Sequence, residues 1–141
     1  MKFISFFLIF LTLPLFCHAK PLVFTNQGLD TEIVVTIDIK GTKVSGHYRS
    51  HGYDGENIQQ SPFIGEVLDS STPKQKNILV RFPGEIPYDT PEKKIIWKLK
   101  GQSPSQKLCM TILGRNFETK PPKIEKYEIE FEAMPENFEG D

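Results

Sequence analysis

The stretch EIVVTIDIKGTKVSGHYRS, residues 32–50, decides the fold. In its first half Ile33, Val35, Ile37 and Ile39 share one face, while Glu32, Thr36 and Asp38 share the other with Val34. At about 3.3 Å per residue this alternation sets one face toward a core and the other toward water; a helix would scatter the charges over every side. Lys40-Gly41-Thr42 then makes a tight turn in which Gly41 is free to take positive φ. Beyond it the pattern resumes, with Val44, Gly46 and Tyr48 set against Lys43, Ser45, His47 and Arg49. Two alternating runs joined so closely form an antiparallel hairpin.

The same period recurs along the chain. IEKYEIEFE (124–132) sets Tyr127, Ile129 and Phe131 against Lys126, Glu128, Glu130 and Glu132. NILVRF (77–82) sets Ile78, Val80 and Phe82 against Leu79 and Arg81, and KIIWKLK (94–100) sets Ile95, Trp97 and Leu99 against lysines and Ile96. KLCMTIL (107–113) is apolar on both faces, so a strand covered on both sides is expected there. A strand is also expected around Phe63–Leu68, with its register blurred by Pro62 and Gly65. Between these runs lie SSTPKQKN, PGEIPYDTPEK, GQSPSQ and ETKPP, loops rich in Pro, Gly and Ser without periodicity. No ten-residue stretch carries a helical apolar stripe. The expectation is an all-β antiparallel meander of seven to eight short strands, closed or partly open as a barrel, with a β-sandwich as the alternative.

The first twenty residues, MKFISFFLIFLTLPLFCHAK, place one lysine before an apolar run and then Cys17-His18-Ala19. This is the pattern of a secretory signal peptide, residues 1–19, cleaved after Ala19. The run is shorter than the roughly 20 apolar residues of a bilayer span and Pro14 breaks it, so no transmembrane segment is expected after cleavage. Removing residues 1–19 from the 141 leaves 122, enough for one β-domain over 20–134 with a frayed acidic tail over 135–141. Cys109 is then the sole cysteine, so no intramolecular disulfide forms, and its place in KLCMTIL suggests a small apolar core residue. The 17 Lys and Arg against 18 Asp and Glu give a net −1, or −2 once Lys2 is lost, which offers no electrostatic reason to bind nucleic acid.

Chemistry-bearing side chains crowd into GHYRSHGYDGEN, 46–57. His47 and His51 would share a helix face, but on a strand their spacing separates them by about 13 Å, too far to share a metal ion bonded at about 2 Å. The segment reads instead as a strand running into a hairpin whose tip, His51 to Asn57, presents Tyr53 and Asp54 beside Arg49 and His51. The longest irregular stretch, RFPGEIPYDTPEKK (81–94), holds Arg81, Glu85, Tyr88 and Asp89, and GRNFET (114–119) adds Arg115 and Asn116 next to a turn. Arg49, His51, Tyr53, Asp54, Arg81, Glu85, Tyr88 and Arg115 are therefore the candidate partner-binding residues.

No G-x-S-x-G elbow, phosphate-cradling glycine loop, HExxH or CxxC occurs, so no catalytic residue, cofactor or metal is expected. The reading is a secreted or periplasmic domain that binds a protein partner without catalysis, in the manner of an inhibitor or immunity protein. Two alternatives stand beside it. One is a small-ligand barrel whose cavity Tyr48, Trp97 and Phe131 line; the other is a hydrolytic enzyme.

Overall fold

The structure is a computed structural model and describes residues 20–26, 32–51, 58–68 and 74–135. The signal-peptide and tail assignments, with Tyr53 and Asp54, lie outside the described residues. Eight strands follow one another in chain order: β1 (Leu22–Asn26), β2 (Glu32–Lys40), β3 (Lys43–His51), β4 (Ile58–Val67), β5 (Gln75–Arg81), β6 (Lys94–Lys100), β7 (Lys107–Asn116) and β8 (Lys123–Ala133). Each pairs antiparallel with the next, and β8 returns to β1, closing a meander barrel.

The opening hairpin behaves as its alternation requires. Ile33, Val35 and Ile37 of β2 and Val44 and Tyr48 of β3 are buried, and Gly41 turns the chain at φ +64°. Gly46 faces inward opposite Ile37, where any Cβ would collide with the Thr36 carbonyl and the Phe63 ring. Its lack of a side chain lets β3 cross close to its neighbours.

Inside, four aromatic rings meet edge to face. Phe63 lies 4.9 Å from Trp97 between ring centroids, and Phe82 stands 6.2 Å from Trp97 and 6.4 Å from Tyr48. This geometry sets positive ring edges against negative faces and adds to the burial of their large surfaces. Phe24, Leu108 and Phe131 complete the packing. The barrel is held by this core, and Cys109 is a free thiol.

β1 was not legible, because LVFTN buries only Phe24 fully and leaves both faces half covered. Three expectations need correction. β4 begins at Ile58 rather than near Phe63, and β3 keeps its pairing to the end, with His51 opposite Glu32 and Ile58, so His51 belongs to the strand rather than to the hairpin tip. β7 is covered on one face only: Leu108, Met110 and Ile112 are buried, while Cys109, Thr111 and Leu113 sit half exposed on the outer wall. Cys109 is thus not a core residue; its Sγ lies 3.6 Å from Glu130.

The strands differ in length, and the mismatch shapes one end of the barrel. β5 pairs with β4 only over Ile64–Val67, and β6 pairs with β7 only from Lys98 to Lys100. Among the described residues, the first half of β4 and the second half of β7 consequently have no strand across from them on that side. Residues 82–93, the connection between β5 and β6, fill the gap.

Candidate functional site at the loop-bearing end

The connections 82–93 and 117–122 belong to one end of the barrel, because each follows an odd-numbered strand, and β1 and β3 finish at the same end. Arg49, His51, Glu85, Tyr88 and Arg115 are on or near a strand end or loop of this end.

The 82–93 loop is the best-defined part. It is closed at its base by the Phe82 amide donating to the Lys93 carbonyl at 3.1 Å. On one flank it clasps β4, where the Gln59 side-chain amide donates to the Ile86 carbonyl at 3.4 Å and accepts from the Tyr88 amide at 3.3 Å. On the other flank the Leu113 amide of β7 donates to the Asp89 carbonyl at 2.6 Å. Lys126 of β8 adds an exposed ion pair to Glu92 at 3.6 Å. Pro83, Pro87 and Pro91 stiffen the loop by fixing φ, so less chain entropy is lost on ordering it.

Asp89 turns into the barrel. Its side chain is buried and accepts a 2.6 Å hydrogen bond from the Tyr48 hydroxyl. Burial raises the Asp89 carboxyl above its ordinary value, and the Tyr48 bond opposes that rise without cancelling it. Burial first, then the neighbouring Asp89 charge, drives the Tyr48 phenol far above the range where it ionises. Among the described residues the second oxygen, Oδ1, has no partner, and neither has the buried Ser50 Oγ two residues beyond Tyr48 on the same face of β3. Ser61, opposite Tyr48 on β4, is buried as well. The inner end of the barrel is thus a small polar layer capped by the loop. In the sequence Asp89 is one of the loop's polar side chains but not among the partner-binding candidates, and Gln59 gives no signal. A lone carboxylate in a Pro-rich loop looks solvated, and the only hint of its burial is Tyr48, an inward-facing residue whose hydroxyl needs a partner.

The loop shows the opposite character outside. Tyr88, next to Asp89, is 63% exposed, and Ile86 and the neighbouring Ile58 of β4 are exposed too. Through Gln59 the structure brings the β3–β4 hairpin base, which bears Arg49 and His51, to the segment that carries Glu85 and Tyr88. Arg49 stands opposite Gln60 on the outer face.

Arg115 stands on the other side of the loop, two residues beyond Leu113 and opposite Ile124 of β8. The turn that follows is internally tied. Asn116 Oδ1 accepts from the Glu118 amide at 2.9 Å, and Thr119 Oγ1 donates to the Asn116 carbonyl and accepts from the Lys123 amide at 2.9 Å. Phe117 in this turn is 69% exposed, and Ile124 of β8 is 68% exposed.

Arg81 does not join them. The barrel's stagger places it opposite Ile64, four residues along β4 from Gln60, and it reaches Glu66 at 4.0 Å. There it lines an outer-wall cleft of about 600 Å³ with Asp38, Lys40, Lys43, Ile64 and Leu79.

The remaining chemistry is sparse. His47, Arg49 and His51 alternate along the outer face of β3, so the two histidines are held apart by strand geometry. Among the described residues no three His, Cys, Asp or Glu side chains gather around a common point. Burial pushes the Cys109 thiol up, which keeps it protonated and weakly nucleophilic at neutral pH. Tyr48, Trp97 and Phe131 are packed in the core. Among the described residues no helix is long and apolar enough to cross a membrane. The chain matches no protein-family model, no curated protein and no solved structure.

Proposed function

We propose that this chain is a small exported β-barrel that binds a protein partner without catalysis, using its loop-bearing end as the contact surface. One observation carries the reading: the 82–93 loop is fastened on both flanks and through buried Asp89, yet it turns Ile86 and Tyr88 outward. A loop used only to close the barrel would place its large apolar side chains inside. A fixed loop with an exposed aromatic loses little freedom when a partner covers it, which is how interface anchors gain affinity. Arg49, His51 and Glu85 on one side and Arg115 with Phe117 on the other supply a polar and aromatic rim of the kind that surrounds such anchors.

The test is recovery of a partner from the native extracytoplasmic fraction with immobilised protein, wild type against Tyr88→Ala and Arg49→Ala. The proposal expects a specific protein retained by the wild type and lost with Tyr88→Ala. Equal retention by all three, or none with folded bait, contradicts it. The enzymatic alternative is addressed by His51→Ala, which leaves the barrel folded and would abolish any hydrolysis that depends on this histidine.

A further inference from the structure

The near-neutral net charge of −1 hides an uneven distribution over the barrel wall. The outward positions of β6 carry Lys94, Lys98 and Lys100, and Arg81 of β5 stands directly opposite Lys94. On the other side Lys100 stands opposite Lys107 of β7. Beyond Lys107 the sign changes: Glu128, Glu130 and Glu132 line the outer face of β8, and Glu130 takes up Lys107 at 2.8 Å. Among the described residues Lys94 and Lys98 form no ion pair within 4.0 Å. The acid of this wall, Glu66 on β4, is shared between Lys43 opposite it and Arg81 at 4.0 Å.

Like charges set directly opposite each other across a ladder destabilise a sheet. Lys40 with Lys43, Arg81 with Lys94 and Lys100 with Lys107 are three such pairs of cations, and no two acids are opposed in the described registers. Folding alone gains nothing from this bias, whereas fixed negative charge outside the barrel turns the repulsion into attraction. Aliphatic side chains are interleaved with the cations. Ile64, opposite Arg81, is 53% exposed, and Ile96, between Lys94 and Lys98 and opposite Leu79, is 50% exposed. This chemistry narrows the occupant. Phe63 and Trp97, the aromatic residues of β4 to β6, are both buried, so the face offers no ring on which a nucleic-acid base could stack. Lysine is depleted in protein interfaces, which argues against a protein here. Aliphatic chain ends set among lysine and arginine heads match a bilayer with anionic headgroups, where apolar burial and charge attraction act together.

We propose that the outer wall of β4, β5 and β6 is a peripheral contact for an anionic lipid surface. Ile64 and Ile96 enter the boundary between headgroups and acyl chains, and Arg81, Lys94, Lys98 and Lys100 face the lipid phosphates. The stems of these cations lie along apolar surface while their heads reach the charge. Beside them the cleft of about 600 Å³ bounded by Lys43, Ile64, Leu79 and Arg81 gives a headgroup room against the wall. Arg81 gives up only its exposed contact with Glu66, which is of little worth in water. The lipid is thus a surface to which the barrel adheres reversibly. The contact uses none of the residues assigned above to the partner surface, so it does not rest on that reading.

Co-sedimentation with vesicles tests this, using protein purified from the extracytoplasmic fraction and two compositions, phosphatidylcholine alone and phosphatidylcholine mixed with phosphatidylglycerol. The wild type binds the mixed vesicles and not the neutral ones, and added salt releases it. Lys94→Gln and Lys98→Gln each weaken binding about fivefold, the share of one cation at an anionic surface. Ile96→Ser weakens it at unchanged charge, whereas Lys126→Gln on the outer face of β8 leaves it unchanged. All four positions are exposed, and an unchanged circular-dichroism spectrum shows that each barrel is intact. No binding to the mixed vesicles, or equal binding to both compositions, overturns the proposal. So does a loss with Lys126→Gln as large as with Lys98→Gln. Binding indifferent to Ile96→Ser overturns it as well, because the wall would then be reading negative charge alone and not a lipid surface.

Discussion

The Tyr48 hydroxyl and the Asp89 carboxylate meet inside the barrel at 2.6 Å, tying a strand to a loop 41 residues further along the chain. The same Asp89 receives the Leu113 amide on its backbone carbonyl. One loop residue thus fastens to β3 through its side chain and to β7 through its main chain. It seals the opening left by the short β5–β6 pair and fixes the outward presentation of Tyr88.

Removing the Tyr48 hydroxyl leaves a buried carboxylate with neither oxygen partnered. Tyr48→Phe is expected to lower stability by about 1–3 kcal/mol, the range for orphaning a buried polar group. Asp89→Asn keeps an oxygen that accepts from Tyr48 and buries no charge, so it is expected to cost less than Tyr48→Phe. Urea unfolding of the two variants side by side gives the order; a larger loss for Asp89→Asn would contradict the account.

Asp89 also sets a pH dependence with a definite sign. Its folded-state carboxyl is raised by burial, so the folded protein keeps this proton to higher pH than the unfolded chain does. The contribution is fully present below the unfolded carboxyl value of about 3.9 and is lost as pH climbs through the folded-state value. The wild type should therefore lose stability relative to Asp89→Asn as pH rises above about 4. Unfolding midpoints of both proteins across pH 4 to neutrality measure it, and a difference that stays flat or reverses sign would count against a raised Asp89.

The aromatic core carries the fold, since Cys109 has no disulfide partner. Trp97→Ala opens a void beside Phe63 and Phe82 and is expected to cost about 3–5 kcal/mol. Near-ultraviolet circular dichroism and chemical denaturation report it. A loss under about 1 kcal/mol would mean that the ring is not packed as described.

Two glycines separate close approach from mere loop placement. A methyl group at Gly46 meets the Thr36 carbonyl and the Phe63 ring, whereas at Gly84 it meets nothing within 4 Å. Gly46→Ala is expected to destabilise by more than about 2 kcal/mol and Gly84→Ala to be neutral or stabilising by up to about 1 kcal/mol. Thermal unfolding distinguishes them.

Much of the wall was legible because its residues obey a period of two: β2, β3 and β8 follow directly from Ile33–Ile39, Val44–Tyr48 and Tyr127–Phe131. β1 escaped because Phe24 is its only fully buried residue, and one apolar side chain makes no alternation. The outer placement of Cys109 escaped because an apolar residue on the second face of β7 looks the same in sequence whether covered or half exposed. The loop-bearing end was legible as a set of residue types but not as a geometry. Arg49, His51, Tyr88 and Arg115 gather around the 82–93 loop, while Arg81 is carried away by the stagger of β5 against β4, a property of strand lengths that no single segment encodes. The burial of Asp89 depends on Tyr48, Leu113 and the gap between β4 and β7, contacts that exist only once the barrel has closed.

The most direct test of the central claim is position-resolved crosslinking in the native extracytoplasmic fraction. A photoreactive residue replaces Tyr88 at the loop-bearing end in one protein and Thr42 at the opposite end in another. The account predicts a single covalent partner from position 88 and none from position 42. Equal crosslinking at both positions, or a partner captured from position 42 alone, would contradict it.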